Sequence, residues 1–190
     1  MSLTDFEEVY AQTQAAWRAW LRDNHATSPG VWLVYYKKDT GKPSVDWDEA
    51  VEEALCYGWI DSKVNRLDEE RYKQVFTPRK AGSVWSKVNK ERLERLIVAN
   101  KMTPSGQMKI DQAKADGSWT FLDSVENLEV PDDLLMALQK EGKAQDHFQT
   151  FPDSVKKQIL LWIKTAKRDE TRAKRIRDVV QSAARNERAR

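Results

Sequence analysis

GWIDSKVNRLDEERYKQVFTPRKAGSVWS, residues 58–86, is the stretch whose reading decides the fold class. Side chains alternate along a strand, so Ile60, Ser62, Val64 and Arg66 share one side of the first segment. Trp59, Asp61 and Lys63 take the other. Tyr72 and Phe76 make a similar stripe on a second segment. Leu67-Asp68-Glu69-Glu70 between them forms a polar turn, and the whole reads as a β-hairpin. Pro78 has no N–H to give to a ladder and ends the second strand. Arg79-Lys80-Ala81-Gly82-Ser83 is a loop by composition, and Ser86 is placed to cap the next helix.

Upstream, Thr4 with Glu7 has the spacing of a capping box. Phe6, Val9, Tyr10, Trp17, Trp20 and Leu21 follow helical spacing, which predicts a first helix beginning at Thr4. Ser28-Pro29-Gly30 breaks the chain. VWLVYYKK (31–38) is a strand by its β-branched and aromatic content, and its unbroken apolar run predicts cover on both faces. Asp46 and Glu49 repeat the capping pattern ahead of a short helix, with Gly58 as its C′ residue.

Downstream, Leu93, Leu96 and Ile97 mark a helix. Thr103-Pro104 opens another, which Gly117 ends, and residues 118–130 form a connector. After Pro131 the spacing is helical throughout. The predicted architecture is α+β: a small antiparallel sheet of about three strands packed with helices over residues 1–122. An all-helical region, 123–190, packs on it.

A third of the 190 residues are charged, yet the formal net charge is only +2. Residues 164–190 hold 10 Lys+Arg against 4 Asp+Glu, and the remainder carries a net −4. The one cysteine, Cys56, fits a reducing, cytoplasmic setting. The first residues lack the apolar run of a signal peptide, and no stretch approaches the ~20 apolar residues of a membrane span. There is no Walker A loop, GxGxxG, HExxH or paired CxxC, so neither a cofactor nor a metal is expected. His25 and His147 read as surface residues. Cys56, between Leu55 and Tyr57, reads as a small core residue, with no cation close in sequence to activate its thiol.

The candidate site is Trp59, Asp61, Arg79, Lys80, Trp85 and Ser86. Three readings are open for it. Asp61 and Arg79 form a structural ion pair while the tryptophans fill the core. Alternatively, Arg79 and Lys80 hold a small anionic ligand against an aromatic wall, beside the N–H groups of a helix start. In the third reading Asp61 is a general base, although an enzyme is the less favoured expectation. A separate candidate is the basic run Lys164, Lys167, Arg168, Arg172, Lys174, Arg175, Arg177, which suits nucleic acid or an anionic surface. Interrupting acids and missing aromatics make a solvated helix face the better account, and nucleic acid an unlikely partner. A protein partner is also expected as an alternative.

The strings AVEEALCYGWIDS (50–62), FTPRKAGSVWS (76–86) and AKRDETRAKRI (166–176) resemble the YdeI/OmpD-associated family, also labelled bacteriocin-protection proteins. The resemblance covers the chain from about Trp20 onward. It implies a bacterial, cytoplasmic stress-response protein linked to protection against bacteriocins or envelope-active peptides. It implies no particular reaction, cofactor or catalytic residue.

Overall fold

Residues 3–188 are described by a computed structural model, in which residues 1–120 and 121–190 form separate units. The first runs β1 (Glu8–Tyr10), α1 (Gln14–Asn24), β2 (Val31–Tyr36), α2 (Trp47–Cys56), β3 (Trp59–Arg66), β4 (Arg71–Pro78), α3 (Lys87–Val98) and α4 (Pro104–Asp116). Its four strands lie in the order β1-β2-β4-β3. β4 pairs antiparallel with both β2 and β3, while β1 is parallel to β2. The fold class is α+β, with a helical C-terminal part.

The hairpin has a β-bulge that the alternating pattern does not show. Asp61 lies opposite Phe76 and Val64 opposite Gln74, so β3 carries one extra residue between them. Trp59 and Asp61 share the face of Phe76 and Gln74, and the extra residue brings Val64 opposite Gln74 onto that face too, where it is exposed. β2 is buried over most of its length, with Leu33 and Tyr35 in the main core. Trp32 is buried too but lies outside that core, under the Lys73 ammonium.

The N-terminal helix starts ten residues later than its periodicity predicts. Thr13 caps α1, its Oγ1 accepting from Ala16 N–H at 3.2 Å. Val9 sits opposite Leu33, and the Glu7 carbonyl accepts from Trp32 N–H at 2.9 Å. The open edge of β2 thus recruits this segment into the sheet, and a non-local ladder overrides local helical spacing. The Thr4 side chain expected to cap lies outside the described residues.

Helices cover the Phe76 face. Trp17 stacks on Trp20 at 5.2 Å, and Trp20 meets the edge of Trp59 at 5.9 Å. The buried indoles keep their N–H groups satisfied: Trp17 donates to Ala50 O at 3.0 Å and Trp59 to His25 O at 3.2 Å. α2 opens with the expected capping box of Asp46 and Glu49. Gly58, with φ of 74°, turns the chain directly into β3. Gly106 of α4 lies so close to the Cys56 carbonyl that a Cβ there would overlap it.

The second unit comprises α5 (Asp123–Glu126), α6 (Asp132–Gln139), α7 (Gly142–Thr150), α8 (Asp153–Lys164) and α9 (Asp169–Ala184). α5 occupies part of the expected connector. Leu134, Leu138, Phe148, Ile159, Ile163 and Val179 centre a core of its own. Arg172 donates from Nε and Nη2 to Asp133 at 2.6 and 2.9 Å, closing α9 against α6. Among the described residues no helix is long and apolar enough to cross a membrane.

Two outcomes follow from this packing. Gly106→Ala is expected to destabilise the first unit by roughly 1–3 kcal/mol, because the contact it violates is backbone that cannot rotate away. A lowered urea midpoint checks it. The hydrogen bond from Arg172, and secondarily its charge, holds the Asp133 carboxyl below its usual range. That pair stabilises the folded unit above the ordinary carboxylate pKa and stops contributing as pH falls through the depressed one. Since Asp133 is about half exposed, the contribution is at most about 1 kcal/mol. Asp133→Asn is expected to lower the urea midpoint at neutral pH and to match the wild type in strong acid.

Candidate functional site

β4 ends at Pro78, and the next residue decides the site. Arg79 N–H donates to Gly58 O at 2.9 Å, extending the hairpin ladder by one bond. That bond draws the Arg79 side chain inward, where it is only 3 % exposed. Its guanidinium carbon lies 3.5 Å from the centre of the Trp85 ring, and Trp85 in turn packs on Trp119 at 5.4 Å. A flat guanidinium on an indole face suits both groups, since the ring face is electron-rich.

Arg79 Nη1 donates to Val84 O at 3.3 Å, while Nε and Nη2 are buried with no partner among the described residues. Burial pushes the guanidinium pKa down to about 10, against an opposing pull from the Asp61 charge. The group therefore stays cationic at neutral pH. Beside it lies a crevice of about 10 Å³, which Lys80, Gly82, Lys109, Gln112 and Ser118 also line. This is room for about one water-sized group. The Asp116 carboxylate closes one side by accepting from the N–H groups of Gly82 and Ser118, both at 2.9 Å. Ser118 Oγ is near enough to help hold the Asp116 pKa down, but the contact falls short of hydrogen-bond geometry.

Of the six residues singled out in the sequence, Arg79, Lys80 and Trp85 line this crevice. Ser86 is spent as the cap of α3, its Oγ accepting from Asn89 N–H at 3.3 Å. Trp59 belongs to the core with Trp20. Asp61 makes no ion pair with Arg79 but accepts from Gln74 Nε2 at 2.7 Å. Lys109, Gln112, Asp116 and Ser118 escaped the sequence reading because they lie on α4 and the turn after it. The one local signal was Asp116-Gly117-Ser118, a helix end in which an aspartate binds an amide two residues on.

Several of the other candidates have partners within the fold. His25 is half-buried, its ring held 2.9 Å from both Leu21 O and Ser105 Oγ, and His147 lies 2.8 Å from Ala183 O. Burial, then the charge of Glu53, raises the Cys56 thiol to about 11, which leaves almost no thiolate at neutral pH. In the basic run, Arg172 is held by Asp133. Arg175 donates to the Trp162 carbonyl, and Lys164 to Ser124 Oγ at 2.6 Å. Among the described residues no group of three metal-ligating side chains converges.

Comparison with known proteins assigns the two units separately. Residues 127–186 match the family described as Bacteriocin-protection, YdeI or OmpD-Associated. This match takes in the string at 166–176. The strings at 50–62 and 76–86 fall instead within residues 9–109, which match a different family. No curated protein and no solved structure matches the chain. Since residues 9–109 make up more than half of its length, the chain belongs to the family described as Domain of unknown function (DUF8412), and its last third carries the bacteriocin-protection, YdeI or OmpD-associated segment.

Proposed function

We propose that this is a bacteriocin-protection-type protein whose first unit captures a small anionic group, a carboxylate or an oxyanion of similar shape, on Arg79. The observation carrying this reading is the unpaired Nε and Nη2 of a buried guanidinium. Those two nitrogens form the edge that receives a carboxylate side-on with two hydrogen bonds. Elsewhere the same edge holds Asp133 from Arg172 and Asp23 from Arg22. In Arg79 alone of these three it is buried and unmatched. A cation taken out of water without a counter-charge costs several kcal/mol, and an incoming anion would remove that penalty.

Lys80 and Lys109 add positive charge at the mouth. The gap is far smaller than a metabolite pocket, so only an end group enters it, and an ion larger than water displaces the exposed 80–82 loop or the Lys109 side chain. The Trp85 ring behind Arg79 fixes the plane in which the anion lies. Asp61, bonded to Gln74, does not line the crevice, and its charge acts on Arg79 without an ion pair.

Titration with formate at constant ionic strength, read from the Arg79 Nε–H resonance, tests the proposal. Chloride serves as the control, because salts also shift stability without binding. A saturable shift is expected, weakened in Lys80→Ala and Lys109→Ala. Formate leaving the Nε–H signal where chloride leaves it would show that the crevice holds only a water. Arg79→Gln is expected to abolish any formate-dependent gain in Tm.

A further inference from the structure

At the other end of the hairpin a second opening, about 400 Å³, combines features the Arg79 crevice lacks. It is lined by Tyr36, Lys37, Lys38, Lys42, Trp47 and Tyr72, and shares no lining residue with that crevice. We infer that this cleft, where three lysines from the β2–α2 connection meet the rings of Trp47, Tyr36 and Tyr72, is a binding site for a nucleoside phosphate. The inference stands apart from the anion reading of Arg79.

The volume lies within the range of small-molecule sites, and aromatic side chains beside cations are what a base and its phosphate require. Trp47 is the first residue of α2, held there by the Asp46 cap, and is 41 % exposed. A large indole at such a position leaves a substantial part of its surface to solvent. The Arg92 guanidinium supports it at 5.1 Å. Tyr72 is braced from behind by a parallel stack on Tyr35 at 4.8 Å. Trp47 and Tyr72 are thus supported by residues that do not line the cleft, while the Lys42 ammonium lies over the Tyr36 ring at 4.9 Å within it.

Charge favours a phosphate. Both carboxylates at the rim are already engaged: Asp46 with Lys38 at 3.0 Å, and Asp48 with Arg92. Lys42 pairs with Glu70 at 2.6 Å. The Lys37 ammonium donates to the neutral carbonyl of Glu69, and among the described residues its charge has no anionic partner in contact. The Lys38 and Lys42 pairs are solvent-exposed and cheap to exchange for a doubly charged group. Ser44 Oγ, which accepts from Tyr36 N–H at 3.3 Å and donates to Val45 O at 3.4 Å, lies beside them.

The test uses the full chain with adenosine 5′-monophosphate, adenosine, ribose 5-phosphate and an eight-residue oligothymidylate, followed by calorimetry and by the indole N–H resonance of Trp47. The monophosphate is expected to bind saturably and to shift that resonance, with adenosine and ribose 5-phosphate each weaker. Trp47→Ala is expected to reduce affinity roughly tenfold or more, and Lys37→Gln/Lys42→Gln to do so while flattening the salt dependence. These side chains sit at the surface, and an unchanged urea midpoint confirms that each variant is folded. An oligonucleotide outbinding the monophosphate through Trp47 would identify a single strand as the source of the same chemistry; equal or weaker binding identifies the free nucleotide. The inference is overturned if the monophosphate gives no saturable shift, if adenosine binds as well as the monophosphate, or if Trp47→Ala binds like the wild type.

Discussion

The carbonyls at the end of α2 are the constraint from which the first unit is built. Leu55 O accepts from Gly58 N–H at 3.0 Å and closes the helix. Cys56 O accepts from both Thr103 N–H and Thr103 Oγ1, at 3.2 and 2.7 Å, and so fixes the start of α4. Gly58 O accepts from Arg79 N–H and fixes the exit of β4. Every helix leaves its last carbonyls without intrahelical partners. Here those carbonyls and the glycine after them tie a helix, a hairpin and a second helix at one place. Gly58 permits this through its positive φ, and Gly106 through its missing Cβ.

That arrangement has a cost, and the candidate site is where it falls. Arg79 N–H is committed to Gly58, and the side chain is buried. The stack on Trp85 covers one flat face of the guanidinium but satisfies none of its N–H groups. Glu53 shows the contrasting solution in the same unit. It is as buried as Arg79, yet its two oxygens accept from Gln14 and Arg18, and Arg18 goes on to donate to Lys101 O. A buried charge can be fully partnered within this fold. The incomplete partnering of Arg79 is therefore a property of that site rather than of a loosely packed protein.

What was legible in the sequence is what short-range physics controls. The Asp46–Glu49 capping box, the Ser86 cap and the glycine after α2 depend on residues within four positions of one another, and the hairpin joins two segments that adjoin along the chain. What was not legible depends on partners far along the chain. The segment 8–10 carries helical spacing, and only the unpaired edge of β2 makes it a strand. One inserted residue between Asp61 and Val64 changes which side chains face inward, and alternation read from residue types alone cannot detect it. The same limit applies to the site. Arg79, Lys80 and Trp85 lie within seven residues and were visible together. The opposing wall comes from α4, some thirty residues on, and nothing in its own spacing marks it.

The two family matches and the two structural units divide the chain in nearly the same place. One match ends at residue 109 and the other begins at 127, and the structural division follows residue 120. Each unit also has its own core, one built around tryptophans and the sheet, the other around leucine, isoleucine and phenylalanine on helices. The bacteriocin-protection label thus belongs to the helical unit, where Lys157 and Arg172 pair with the unit's own acids. Both the unmatched arginine edge and the lysine–aromatic cleft lie in the other unit. The family label of the helical unit therefore says nothing of the first unit, whose chemistry has to be sought on its own residues.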